Sequence, residues 1–368
     1  MTYNDTIRRI WSENILYAAL VELTYRCNLN CSFCYNDTAL KGIPLTTAQY
    51  FDFFQDLYDL GTLNLTLTGG EPLAHPEFFA LGRRARELGF VVRVKSNAHA
   101  LRGKLAQRMR DEVDPFMVEV SLHGASAETH DRQTQVPGSF SRLTANLRES
   151  RALGLRIKLN SPLTLWNERE VEAMYALADD LGIPIQFDPL ITRRDNGDAE
   201  PQRISPSREG IARLHQHQRE RDATRRARRG AAVTESAVVF EPSATVNPLK
   251  EVEAPRGVEP STGGREKHCG AGSSSITIDP FGNVYPCVQW RRRIGNLHED
   301  SIRTLWNHSD ELAEIRRLST EVKEAVDRHQ APGLGFCPGS AEQETGSPMQ
   351  LYPGIQIMRD LRTKDRTG

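Results

Sequence analysis

The chemistry in this sequence is concentrated in six cysteines, which fall into two sets. Cys27, Cys31 and Cys34 lie within eight residues of one another, whereas Cys269, Cys287 and Cys337 are spread over the last hundred. In a secreted chain six cysteines would suggest disulfides. The start MTYNDTIRRIWSENILYAAL lacks the apolar stretch and cleavage site of a signal peptide, so a cytoplasmic location with the thiols as metal ligands is expected. A four-iron cubane is usually held by four thiolates, so a compact set of three leaves one iron open to an outside ligand. Structural zinc is the alternative, but it wants four ligands, and no further Cys or His neighbours the first triad in sequence.

A triad of this kind needs a scaffold that presents it at the rim of a cavity. From Val21 to about Asp188, short β-rich runs alternate with longer helical patterns, the signature of a parallel sheet with crossover helices. The strands are expected at Ala19–Thr24, Leu63–Thr68, Val91–Ser96, Phe116–Leu122, Leu155–Leu159 and Ile183–Phe187, with amphipathic helices such as Ala48–Leu60 and Glu168–Leu181 between them. Periodicity alone leaves an open doubly wound sheet and a partial barrel both standing. Either places its chemistry in loops at the carboxyl ends of the strands. Beyond Asp188 the pattern changes to a helical stretch from Pro206 and a Pro-, Gly- and Ser-rich linker over about 230–267. A second compact region follows: Ile276–Ile278, the turn Asp279-Pro280-Phe281-Gly282-Asn283 and Val284–Tyr285 suggest a β-hairpin, with helices at Ser301–Trp306 and Asp310–Arg328. The expected divisions are an extension (1–18), a barrel (19–205), a helix and linker (206–267), an auxiliary region (268–345) and a tail (346–368).

The C-x3-C-x2-C triad after the first strand, followed one β/α unit later by Leu67-Thr68-Gly69-Gly70-Glu71-Pro72, resembles the radical S-adenosylmethionine (SAM) superfamily. Two glycines after a strand allow close approach to the backbone, and the Glu71 carboxylate can accept from an ammonium group. The resemblance implies a partial (β/α)6 barrel, a [4Fe-4S] cluster on Cys27, Cys31 and Cys34, and a loop at Gly69, Gly70 and Glu71 that holds the methionyl amino group of SAM. It further implies an aromatic near the adenine at Phe33 and polar contacts at Asn97, Ser121 and Asn160, each at or near a strand end; each could equally be an ordinary loop anchor or strand-end hydrogen-bonding residue. The activity implied is reductive cleavage of SAM to a 5′-deoxyadenosyl radical that abstracts hydrogen from a substrate, fed by an external low-potential electron donor.

Cys269, twelve residues, Gly282, four residues and Cys287 resemble the opening of the auxiliary-cluster regions called SPASM and twitch. A full SPASM pattern continues C-x2-C-x5-C-x3-C. If Cys337 is the third cysteine of that run, Arg328, Ala331 and Ala341 stand at the other three positions. The reading is therefore one auxiliary iron–sulfur cluster on Cys269, Cys287 and Cys337, with His268, His329 or a substrate group as a fourth ligand; a decayed region without metal is the alternative.

The remaining composition narrows the partners. Lys plus Arg (47) nearly balance Asp plus Glu (48), which gives no overall field for nucleic acid, and no apolar run approaches the roughly 20 residues of a membrane span. The basic run Arg225-Arg226-Ala227-Arg228-Arg229 is either a solvated helix end or a site for an acidic peptide. Three functions are compatible. The first is oxidative modification or cross-linking of a ribosomally made peptide, with a separate leader-binding protein because few residues precede the first strand. The second is oxidation, epimerisation or decarboxylation of a small molecule. The third is a non-catalytic iron–sulfur or zinc protein. No catalytic acid or base is singled out.

Overall fold

The computed structural model describes residues 3–232, 267–328 and 334–367. Helix α1 (Tyr3–Ser12) leads into β1 (Ala18–Glu22), and β/α units follow: α2 (Thr47–Asp59), β2 (Asn64–Thr68), α3 (Phe78–Glu87), β3 (Val91–Ser96), α4 (Gly103–Arg108) and β4 (Met117–Ser121). The pair α5 (Ala127–Thr134) and α6 (Ser139–Ala152) precedes β5 (Ile157–Pro162), α7 (Val171–Asp180) and β6 (Ile185–Asp188). Then come α8 (Arg208–Ala232), the short strands β7 (Ser275–Ile278), β8 (Asn283–Tyr285) and β9 (Gly295–Asn296), and α9 (Ile302–His308), α10 (Asp310–Arg328), α11 (Pro338–Thr345) and α12 (Pro353–Thr367).

Local chemistry sets these elements. Thr46 and Gln49 form a capping box at the start of α2, and Tyr50, Phe53, Phe54 and Leu57 recur at helical spacing on its buried face. In the strands, Val92, Val94, Val118, Val120, Ile157 and Leu159 are buried in the main core. Their alternates Arg93, Lys95, Glu119, Lys158 and Asn160 therefore lie on the opposite, concave face. A parallel sheet covered on both faces would be apolar on both; this alternation belongs to a barrel whose interior admits solvent and ligand.

The sheet runs β6-β5-β4-β3-β2-β1-β7-β8-β9, with β1 through β6 parallel. Its end strands do not meet, so the barrel is partial, as the resemblance implies. The hairpin is not a sheet of its own. Strand β7 pairs in parallel with β1, Ala18 to Ser275 through Val21 to Ile278, and β8 and β9 extend the same sheet antiparallel. The physical reason is that β1 would otherwise be an exposed edge with its amide row unpaired. The C-terminal residues beyond 345 are also more than a tail: Tyr352 and Ile355 at the start of α12 are buried against Val322, Val326, Leu334 and Phe336 in a second core. Most of the linker expected over 230–267, His329 and the side chains of the basic run at 225–229 lie outside the described residues. Among the described residues, no helix is long and apolar enough to cross a membrane.

Candidate functional site

The loop after β1 carries the first triad, and it is tied down on every side. Asn30 N and Ser32 N donate to the carbonyls of Thr134 and Gln133 at 3.0 Å each. Gln135, whose backbone adopts the left-handed conformation at the end of α5, accepts from Asn30 Nδ2 at 2.7 Å and donates to Ser32 Oγ at 3.1 Å. All six cysteines are unpaired; Cys27 is exposed, while Cys31 and Cys34 are partly covered. Burial raises the Cys31 thiol above its ordinary range, and the neighbouring Cys34 and Cys27 charges raise it further, so the three sulfurs lie close enough to repel as thiolates.

The Gly69-Gly70-Glu71 loop reaches the same place from β2. Gly70 N donates to Thr24 O at 2.6 Å and Glu71 N to Arg26 O at 2.9 Å, clamping this loop to the cysteine loop. The glycines are required by that clamp. A Cβ on Gly69 (φ +135°) would lie 2.3 Å from Thr24 O, and one on Gly70 would lie 2.6 Å from Arg26 O. Glu71 is 2% exposed, and its carboxylate accepts from Ser96 Oγ (2.8 Å), Leu73 N (3.1 Å) and Asn97 N (2.8 Å). Its Oε1 carries two of these bonds and Oε2 one, which leaves Oε2 one lone pair for an outside donor. Burial raises the Glu71 carboxyl to about 7 against these stabilising bonds.

The softer candidates converge on the same rim. Asn97 Nδ2 donates to Asn28 Oδ1 at 2.8 Å and approaches Cys27 Sγ at 3.6 Å. Ser121 ends β4 and is the cross-strand partner of Asn160, which lies inside β5, two residues before its end, because that strand runs on to Pro162 and not only to Leu159; Asn160 Nδ2 donates to Glu119 at 2.9 Å. The Phe33 ring packs against buried His123 at 4.6 Å between centroids.

Sequence reasoning missed the group that joins this rim to the C-terminal region. Glu22, fully buried at the end of β1, receives Arg291 Nη1 and Nη2 at 3.1 and 2.8 Å, and Arg291 Nε donates to Asp195 at 3.0 Å. The Tyr25 and Tyr35 hydroxyls, on either side of the triad, donate to Glu22 at 3.1 and 3.3 Å. Asp195 N donates to Tyr35 O at 2.8 Å, and Arg194 Nη1 reaches Cys34 O at 3.5 Å. Burial lifts the Asp195 carboxyl to about 7, with Arg291 opposing the rise. The available signal was a glutamate closing an otherwise apolar strand, which demands a buried cationic partner.

Arg291 follows Cys287 by four residues, so the strut ends beside the second triad. Burial pushes the Cys287 thiol to about 12, with Cys337 the next cause and Cys269 a further one, and Cys269 is raised by burial and by Cys337. These three cysteines are therefore also brought together. Cys287 Sγ accepts from Gln289 N at 3.2 Å, and Cys337 Sγ from Ser340 N at 3.5 Å at the start of α11. One ring nitrogen of His268 is engaged with Phe336 O at 2.8 Å. Among the described residues, no three Cys, His, Asp or Glu side chains converge on a single ion. A cubane asks for something different, since its thiolates attach to separate irons; grouped, partly buried thiols with N–H donors to sulfur fit it.

Comparison with known proteins agrees. Residues 21–178 match the radical SAM superfamily and residues 269–331 an iron–sulfur cluster-binding domain, SPASM. The pre-heme d1 synthase of Dinoroseobacter shibae is 29% identical over 369 residues, covering 96% of this chain and 90% of that protein. The antilisterial bacteriocin subtilosin biosynthesis protein AlbA of Bacillus subtilis is 24% identical over 332 residues, covering 87% of this chain and 66% of that one. The structure of Streptococcus suis SuiB bound to precursor peptide SuiA superposes with a TM-score of 0.67 at 14% identity, covering 96% of this chain and 79% of SuiB, which shows the shared fold. The chain thus belongs to the radical SAM superfamily, as an enzyme with a SPASM-type C-terminal region that uses a [4Fe-4S] cluster, SAM and an auxiliary cluster.

Proposed function

We propose that this enzyme oxidatively modifies or cross-links a ribosomally made peptide whose reacting segment enters the concave face of the barrel. The observation that carries the reading is the strut: Arg291 fastens the SPASM-type region to Glu22 and Asp195 beside the first triad, so the two cysteine-bearing regions are held together. The sequence likeness to a bacteriocin biosynthesis protein supports a peptide substrate. When bound, the cluster and SAM supply a carbon radical that takes a hydrogen atom from the substrate.

The roles of this chain's residues follow in the same reading. Cys27, Cys31 and Cys34 hold the first cluster, with Asn97 and the Leu29 amide as donors near Cys27 sulfur. The free lone pair of Glu71 Oε2 accepts from the SAM ammonium, while its other bonds fix the loop. Phe33, backed by His123, covers the adenine, and Ser121 and Asn160 face the ribose. Cys269, Cys287 and Cys337 hold the auxiliary cluster. An external low-potential protein supplies the electron, and a separate leader-binding protein delivers the peptide.

A second reading, oxidation or decarboxylation of a small molecule, is favoured by the end-to-end match to the pre-heme d1 synthase. The deciding assay incubates anaerobically reconstituted enzyme, SAM and reductant with deuterated candidate substrates. Deuterium in 5′-deoxyadenosine from a precursor peptide encoded beside the gene supports the peptide reading. Transfer from a small molecule alone rejects it.

A further inference from the structure

The concave face of the barrel holds cations that none of the cofactor assignments uses. The register sets Lys95 beside Glu119 and Glu119 beside Lys158 on adjacent strands. Glu119 is already engaged by Arg93 Nη1 at 3.1 Å and Asn160 Nδ2 at 2.9 Å, so Lys95 Nζ comes no nearer to it than 4.0 Å. Lys158 Nζ donates to Gln186 Oε1 at 2.5 Å, a neutral amide, and has no carboxylate within ion-pair distance among the described residues. Two ammonium groups thus face the interior: Lys95, 46% exposed, has Glu119 at 4.0 Å and Asp188 within electrostatic reach, and Lys158 is met only by a neutral amide.

This surface lines the concave side of the partial barrel. Asp188 is three strands from Lys95, yet Lys95 lowers its carboxyl against a rise caused by burial, so curvature brings the two sides of the lumen within electrostatic reach. Lys95 and Glu119 precede Asn97 and Ser121 by two residues, one side-chain layer or about 7 Å deeper along the strands. A ligand at this level would lie beneath the rim that carries Glu71, Asn97 and Ser121. An apolar ligand covering two ammonium groups would strip their water without replacement. A carboxylate replaces that water with charge-assisted hydrogen bonds.

We infer that Lys95 and Lys158 form an anion subsite in the lumen that takes a carboxylate of the substrate. This rests on the reading that substrate enters the barrel beneath SAM. The shared chemistry is a carboxylate, which a peptide's acidic side chain or a small acid can supply. The test uses reconstituted full-length enzyme with SAM and calorimetry on two probe pairs: a capped pentapeptide with a central glutamate against its glutamine counterpart, and glutarate against glutaramide. At least one acid should bind about 10-fold or more tightly than its neutral partner, and the pair that does so identifies the source. The K95Q/K158Q double variant should lose that preference, K95R/K158R should retain most of it, and SAM affinity should be native in both. Equal binding of acid and amide, no binding of either acid, or an undiminished preference in K95Q/K158Q overturns the subsite. A fall in SAM affinity in K95Q/K158Q also overturns it, by making the anion SAM's own carboxylate. Failure of native enzyme to bind SAM would instead refute the cofactor reading, a result separable from acid preference.

Discussion

Replacing Arg291 by methionine keeps an unbranched apolar stem about as long as that of arginine and removes the guanidinium charge from a buried ion network. The guanidinium makes three charge-assisted hydrogen bonds of 2.8–3.1 Å, and side-chain exposure is 12% for Arg291, 0% for Glu22 and 15% for Asp195. Breaking a buried pair by removing one partner typically costs about 3–5 kcal/mol, because the remaining charge is stranded. Here the Tyr25 and Tyr35 hydroxyls still donate to Glu22, which places the expected loss near the lower end, about 3 kcal/mol. The assay is urea unfolding of anaerobically reconstituted protein, run as a cycle with Glu22→Gln and the double variant. Removing both charges relieves the stranded carboxylate, so a coupling energy of about 2 kcal/mol is expected. Because the same strut braces Tyr25 and Tyr35 around the triad, R291M should also broaden the electron paramagnetic resonance signal of the first cluster, and R291K should restore it in part. An R291M variant within about 0.5 kcal/mol of native, with no coupling to Glu22, would refute the strut.

Further outcomes follow from the same geometry. Reconstituted protein should hold about eight irons in two cubanes, and replacing Cys27, Cys31 and Cys34 by Ala should leave about half, measured by iron and sulfide analysis. Gly70→Ala should lower iron occupancy at the first site although it touches no ligand, because its Cβ would displace the Arg26 carbonyl; unchanged iron would count against the clamp. SAM affinity should rise as pH passes upward through about 7, since Glu71 must lose its proton to attract an ammonium group, whereas Glu71→Gln should bind weakly with no such rise. In the cluster-free protein the same raised carboxyl has the opposite sign for stability. The folded state retains a proton that the unfolded state has lost, so stability falls between about pH 4.5 and 7, a trend that Glu71→Gln should flatten in denaturant titrations.

The first half of the fold was legible because alternation and helical spacing are local properties. The expected strand Val91–Ser96 is the observed one, and the expected Phe116–Leu122 contains Met117–Ser121. What the sequence could not convey was pairing at a distance. The Ile276–Ile278 run announces a strand, but its place against β1 depends on an edge that appears once the barrel has formed. Gly69 and Gly70 were visible as a loop, yet their reason, backbone contact with Thr24 and Arg26, lies some forty residues away in sequence. Glu22 could be read as an oddity in an apolar strand, but not that its partner stands 269 residues later.

Strand β1 explains how the SPASM-type region is held against the loop of the first triad. It pairs with β2 on one side and β7 on the other, all three parallel, so the loops leaving their carboxyl ends emerge at the same end of the sheet. Those loops are the cysteine triad after β1, the Gly-Gly-Glu clamp after β2 and the Asp279 turn after β7. Asp279, fully buried, holds its turn by accepting from Phe281 N, Asn283 N, Asn283 Nδ2 and the Tyr285 hydroxyl, and Phe281 packs edge-on against Tyr25 at 6.0 Å. The SPASM-type region is thereby referenced to the first triad twice, through strand register and through Arg291. Its separation from the first triad is fixed by backbone hydrogen bonds and a buried ion network, and chemistry that passes between two centres requires a separation of that kind. Weakening the β1–β7 pairing should therefore disturb both cysteine sets together, whereas removing the cysteines of one set empties that set alone.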